Sequence, residues 1–411
     1  MLNPAPSYPY FDVYVGGSAP FTYYTPKVEI IQQTNTHTIA LLDVVYVGSN
    51  LSSTSSASLR KWSYLKETTP IQINYGQRPN YIYSFLGYVS SYKLIRTGSD
   101  TGYNGLITST VQYTITGVSQ VMQSTKNTAW KHTSPSTIAG NIATQNGLRG
   151  IIHTYQAAID YRLQNVSDFK FLAQLADEIG YRFYVDNTDM YFINPKQILD
   201  RGNTRNVPQF WSQNQPGLWD TIRAFKPVVG TITPDGGIVA NRNVVGLNPT
   251  TGQITQATIQ ANATTLSGTP LADYITKYYT AAPAESYYEA SQKVIADSLR
   301  NIYWNTADTT LRGDARIRPN TLVNLTGQAL PADDAGLWLV ECAKHCITKP
   351  PPTGNKYAGS YYTEAVLVRD HIYTAKVDPI SETQNITAKV PAKLVGNKWV
   401  STNLGATVYA T

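Results

Sequence analysis

Cys342 and Cys346 lie four residues apart, with His345 beside the second. Thiolates and imidazole are the side chains that hold zinc, so this group is the first to test. On a β-strand an even spacing points both thiols to one face roughly 13 Å apart, too far for a disulfide. A metal would need two further ligands, and no His/Cys pair at finger-like spacing supplies them. Small, buried, apolar thiols are the expectation. The remaining histidines, His37, His132, His153 and His371, are scattered and expected on strands or at the surface. Cleaving a glycan needs a glutamic acid of raised pKa and a second carboxylate about 5–10 Å away. Glu178 sits with Asp168 and Asp177 on one helical stretch, where solvated helix charges are the simpler account. Asp314 and Arg316 fall in a Gly-Asp-x-Arg turn, where a carboxylate stabilises the turn itself. There is no G-x-S-x-G elbow, no H-E-x-x-H and no P-loop lysine, and Gly236-Gly237 reads as a turn. The Asn165-Val166-Ser167 sequon carries no weight in a chain expected to fold in a cytoplasm. No catalytic, cofactor-binding or metal-ligating residue is expected.

The elements that would position these residues are clearest between 165 and 194. Ser167 predicts a helix N-cap, with Asp168 in the first turn, where a carboxylate complements the helix dipole. Phe169, Leu172, Leu175, Ala176 and Ile179 recur at spacings of three and four and form one apolar stripe. Gly180 stands where a left-handed cap is expected. Tyr181–Val185 and Met190–Ile193, joined by Asp186-Asn187-Thr188-Asp189, read as a hairpin. Upstream, the runs Val28–Gln32, His37–Val47, Ile71–Tyr75, Tyr81–Tyr92 and Ser109–Val121 are β-rich and punctuated by turn residues. The Ser-rich stretch 52–58 reads as a loop. Residues 151–163 fit either an edge strand or a short helix. The segment 209–245, with Trp211, Trp219 and Phe225 among prolines, reads as a return crossing into the first β unit. Turns are expected at 234–237 and 248–252, and an exposed loop at 349–355. Helical spacing of Tyr288, Ser291, Ile295, Leu299 and Ile302 predicts a helix over 284–303. Leu322–Leu325, Leu337–Cys342 and Tyr362–Arg369 read as strands. The polar tail 378–411 reads as an arm on a neighbour or as a terminal hairpin, Ala392–Val395 with Lys398–Ser401 across Gly396-Asn397.

Composition agrees with a sheet-dominated chain. Tyrosine numbers 30 against 9 phenylalanines, and only 15% of residues are charged, which favours twisted amphipathic sheets over bundles or disorder. Tyrosine buries a ring while keeping a hydroxyl wet, which suits either sheet positions or subunit contacts. A net charge of +6 permits contact with nucleic acid without arguing for it, because no basic cluster or basic helix is present. No apolar run of about 18 residues predicts a membrane span, and the N-terminus lacks the pattern of a signal peptide.

Ser167–Asp186 resembles the "S-D-x-x-F-L-x-x-L-A-x-E-x-G-x-x-x-Y-x-D" signature of the phage tail baseplate hub family. That family comprises contractile-phage baseplate hubs, the late-control tail protein D and the hub part of type VI secretion spikes. Residues 133–148 resemble the short helix preceding that unit. Residues 284–327, ending LRGDARIRPNTLVNLTG, are similar to the family's helix and "L-x-G-D-x-x-L-x-P-G-x-x-V-x-L-x-G". Gly336–Val340 with His345, and Tyr361–Arg369, resemble its closing strands. Asn320 departs from the pattern, standing where the family has glycine.

The resemblance implies a β-rich α+β fold: two tube-like antiparallel β-barrel domains with a small α/β insertion between them. The corresponding boundaries are 1–130 plus 209–240 for the first barrel, and 131–208 for the helix–hairpin insertion. The second barrel takes 241–378 with the helix at 284–303, and 379–411 is an arm or hairpin. It further implies a late virion structural protein, the central hub of a tail baseplate or tail tip, and not an enzyme. Three chains would close a homotrimeric ring whose six barrels present a quasi-sixfold face to a hexameric tail tube protein or distal tail ring. A separate trimeric spike or tip protein is expected below, since the chain after 380 is short and carries no repeat. Tape-measure protein and DNA would pass through the lumen without sequence specificity. Assembly is expected in the host cytoplasm. Two other readings stay open: a host-binding tail-tip protein that recognises a surface saccharide, and a cell-wall hydrolase.

Overall fold

The computed structural model describes residues 8–17, 19–47, 65–78, 81–99, 107–155, 159–195, 207–212, 221–229, 241–247, 254–260, 278–281, 305–350, 359–373, 386–387 and 392–409. The helix expected over 284–303, the Ser-rich loop 52–58 and the turns at 234–237 and 248–252 lie outside the described residues.

The chain opens with β1 (Tyr8–Val15), β2 (Ala19–Pro20), β3 (Tyr24–Gln33), β4 (Ile39–Val47), β5 (Pro70–Arg78), β6 (Tyr81–Ser99) and β7 (Ile107–Gly117). Antiparallel ladders order the long strands β1-β5-β6-β7-β4-β3. Alternation decides which side chains go inward. Ala40, Leu42, Val44 and Tyr46 of β4 are buried, as are Val28 and Ile30 of β3 and Val111, Tyr113 and Ile115 of β7. They form one apolar core with Phe11, Ile73 and Phe85. The strand expected to run to Val121 stops at Gly117, whose N–H donates to Thr38 O (2.7 Å), and a 3₁₀ turn follows at Val118–Met122.

The insertion follows as β8 (Thr128–Thr133), α1 (Pro135–Gln145), β9 (Arg149–His153), β10 (Ile159–Gln164), α2 (Asp168–Glu178), β11 (Arg182–Asp186) and β12 (Asp189–Ile193). Ser134 caps α1 through its hydroxyl and the Thr137 N–H, and Ser167 caps α2 through the Lys170 N–H. Gly180 adopts φ 71° beyond α2, as expected of its cap. The hairpin β11–β12 pairs Arg182 with Ile193 through Asp186 with Asp189. Residues 151–163, left open by periodicity, supply the end of β9 and most of β10, which pairs with β8. Both helices pack on this hairpin through Ile138, Ile142, Phe169, Leu172 and Phe183.

Beyond the insertion come β13 (Gln209–Trp211), β14 (Ile222–Val229), β15 (Asn241–Leu247), β16 (Ile254–Gln260), β17 (Tyr278–Ala281), β18 (Asn305–Arg312), β19 (Leu322–Thr326), β20 (Gly336–Thr348) and β21 (Ser360–Tyr373). A second circuit runs β14-β18-β21-β20-β19-β13, and the Thr221 N–H closes it by donating to Trp211 O at 3.0 Å. Its core holds Phe210, Ile222, Leu311, Val323, Trp338 and Leu367. The segment 209–245 is expected to cross back into the first barrel; within it, β13 pairs with β19 and β14 with β18, in the second circuit. The physical reason is that, among the described residues, Phe210, Ile222 and Phe225 pack on the apolar core of that circuit. β15, β16 and β17 form a three-stranded sheet of their own.

One strand serves both barrels. β20 pairs with β19 at its start and with β3 from Cys342 to Thr348, while β21 follows along its other side. Register shifts at 337–342 let it turn from one barrel to the other. Ile347 and Tyr361 from this pair enter the first core, and β1 lies against both strands. The β-rich α+β architecture is thus two barrels within one continuous sheet, plus the small α/β insertion.

The chain ends in β22 (Ile386–Thr387), β23 (Ala392–Val395), β24 (Lys398–Ser401) and β25 (Gly405–Tyr409). β23 and β24 form the expected hairpin. β25 joins the insertion sheet, whose order is β11-β12-β9-β25.

Candidate functional site

Among the described residues, those with chemical potential do not converge. Cys346 is buried and Cys342 half-buried, both are free, and burial raises both thiol pKa values. His345 points to the opposite face of β20. Its Nε2–H donates to Ile317 O (2.9 Å), while Nδ1 accepts from Tyr361 Oη (3.0 Å) and lies 3.1 Å from Thr363 Oγ1. Burial pushes its pKa down to about 4. A neutral ring with both nitrogens satisfied is a core bracket. Among the described residues no three His, Cys, Asp or Glu side chains gather to hold a metal.

The carboxylates are equally committed. Glu178 lies exposed and pairs with Arg162. Asp168 is only 1% exposed, contrary to its reading as a solvated helix charge. It accepts from Lys126 Nζ (2.5 Å), Gln164 Nε2 (2.7 Å) and Asn146 Nδ2 (2.8 Å). The cause is that the start of α2 is roofed by β10 and the end of α1, so the carboxylate needs partners beyond the helix dipole. Asp314 closes its own turn on Arg316, accepting from the backbone N–H (2.9 Å) and Nε (3.0 Å), as the turn reading expects.

What the structure does assemble is a polar junction among the insertion and the two barrels. Asp186, at the end of β11, receives Arg318 Nη1 at 2.5 Å. The guanidinium lies over the Tyr83 ring at 4.8 Å. Arg149 Nε reaches the facing Asp189 at 2.9 Å. Burial raises the pKa of Asp189, and Arg149 works against that shift. Each carboxylate of the hairpin therefore has its own guanidinium. Arg182 pairs with Glu341 and also donates to Asn320 Oδ1 (3.0 Å). Thr34 Oγ1 reaches Glu341 at 2.8 Å. The β3–β4 turn covers the β11 edge, with Asn35 N–H to Phe183 O at 2.7 Å and the Phe183 N–H to Asn35 Oδ1 at 3.1 Å. Asn187, at φ 55° in the hairpin turn, donates to Ser84 O (2.9 Å) and accepts from the Leu86 N–H (2.8 Å). Arg318, Arg182 and Glu341 carried no local signal in the sequence, because their partners lie far away along the chain. This arrangement fixes orientation.

Neither a protein-family model nor a curated protein matches the sequence. Solved structures do. The 43 kDa tail protein of prophage MuSo2 from Shewanella oneidensis aligns with TM-score 0.57 at 14% identity, over 89% of this chain and 99% of that one. A tail protein from Neisseria meningitidis MC58 aligns with TM-score 0.56 at 9% identity, over 91% and 100%. The fold is that of phage tail proteins. A component of the E. coli type VI secretion system, itself described as similar to T4 bacteriophage tail proteins, aligns at 0.50 and 9% identity, over 89% and 80%. This tail-protein fold takes in both barrels and the insertion, so the resemblance carried by Ser167–Asp186 and by residues 311–327 is borne out as a fold. Among the described residues no helix is long and apolar enough to cross a membrane.

Proposed function

We propose that this chain is the central hub of a phage tail baseplate or tail tip. Three copies would form a ring that joins a hexameric tube to a trimeric spike and encircles the path of DNA. The observation that carries this reading is the pair of barrels built into one sheet within a tail-protein fold. Two barrels per chain give a threefold ring six comparable units, and heterologous contacts that close into a ring do not grow into filaments. Rigid junctions support the role. Arg318, Arg182 and Asn187 hold the insertion to both barrels, so the chain can serve as one block in a ring. The occupied carboxylates and the neutral, satisfied His345 fit a structural rather than catalytic part. Residues 1–130, the insertion and the C-terminal hairpin are proposed as its building units, with 209–229 moved to the second barrel.

Mass measurement of the purified protein by light scattering, followed by negative-stain imaging, tests the proposal. A trimer with a central hole is expected. A monomer that degrades cell-wall polymer would overturn it.

A further inference from the structure

The insertion sheet is completed from far outside itself. β9, β11 and β12 belong to one stretch of chain, but the fourth strand, β25, is drawn from the C-terminus and runs parallel to β9 from Gly405–Arg149 to Tyr409–His153. A parallel neighbour cannot be a hairpin continuation; it is an added strand. Ahead of it, the β23–β24 hairpin makes its own ladder and inserts one large side chain into the body of the protein. Trp399 is 3% exposed within the insertion core, alongside Leu86 and Tyr88. Its ring passes close to Gly17, where a Cβ would stand 3.4 Å from it, and Val400 packs equally closely on Gly147. Two backbone bonds fix the depth: Trp399 N–H to Tyr88 Oη (2.7 Å) and Ser401 N–H to Gly147 O (2.9 Å). The β11 edge of the same sheet is already covered by Asn35, so β9 is the edge this segment closes.

One ladder plus one anchoring side chain is the pattern by which a sheet edge recognises an extended peptide. We propose that the β9 edge and the Trp399 pocket form a strand-acceptor site whose ligand is the C-terminal segment of this chain, residues 392–409, held releasably. The indole N–H of Trp399 has no acceptor among the described residues, so the anchor is recognised by shape and apolar burial. The inference stands independently of the hub reading.

The test uses the full chain, with a protease site placed at residues 388–391 and cut after folding. The cut segment should stay with the body in gel filtration and exchange with an excess of fluorescent peptide 392–411. A Trp399→Phe peptide should compete within about tenfold, and a Trp399→Ala peptide should be weaker by about 100-fold or more. Absence of exchange over days, or equal binding by the alanine peptide, would overturn the proposal. If the cut protein loses its fold, hydrogen exchange of the intact Trp399→Ala chain decides. Faster exchange confined to 149–153 and 405–409 supports the site, and an unchanged or uniform pattern overturns it.

Discussion

Asn320 shows how a departure from a sequence pattern can still satisfy the same backbone. It adopts φ 60°, the left-handed region, where glycine is free and asparagine is the best tolerated alternative. Asparagine adds something glycine cannot, an oxygen for Arg182. Asn320→Ala should therefore lose about 2–3 kcal/mol, from backbone strain plus the lost bond. Asn320→Gly should lose about 1–2 kcal/mol, the side-chain bonds with Arg182 and Tyr184 without the strain, and denaturant unfolding of the two variants separates the terms. His345 gives a pH signature. Its folded pKa of about 4 lies below the unfolded value of about 6.5, so the unfolded chain binds a proton that the folded chain refuses. Stability is then complete above pH 6.5 and falls as pH drops towards 4, by about 3 kcal/mol in all. In His345→Gln, which keeps a donor for Ile317 O, the acid limb of the stability curve should flatten; an unchanged limb would assign the acid sensitivity to other groups. Side-chain roles of this kind were only half legible in the sequence. Asp314–Arg316 are two residues apart and could be read as a turn, whereas the burial of Asp168 depends on Lys126, Asn146 and Gln164 meeting in space.

Among elements, those with strong local signals were the ones the sequence disclosed. The capped α2, Gly180 and the hairpin after it lie where spacing and turn chemistry put them, because a helix stripe and a hairpin turn are short-range properties. β13 and β14 were misassigned because aromatic and proline-rich segments state that they bury a face, not against which core. The end of the chain was legible as a hairpin, but nothing in Gly405–Tyr409 announces β9 as its partner. Asn187 joins local and long-range roles, since it makes the turn and docks it on β6. Asn187→Gly keeps the favoured turn geometry yet removes both bonds to Ser84 and Leu86. It should cost about 1–3 kcal/mol, measured by thermal or denaturant unfolding, where a role confined to the turn would make the change neutral.

At the scale of the whole molecule, the family pattern supplied the fold class, and the physics of strand alternation supplied the two cores. The sharing of β20 between them was not foreseeable, because a 13-residue strand reads the same whether it serves one barrel or two. Residues 1–130 expressed alone should consequently fail to give a cooperative thermal transition, whereas the full chain gives one. A sharp transition in the fragment would show that the first barrel closes without β20 and β21. The same sharing has a consequence during synthesis. Ile347 and Tyr361 complete a core whose other members begin at Phe11, so a ribosome must deliver most of the chain before the first barrel can seal. At roughly 5–20 residues per second the nascent N-terminal strands wait many seconds with an open seam, the condition under which unpaired strands aggregate or recruit chaperones.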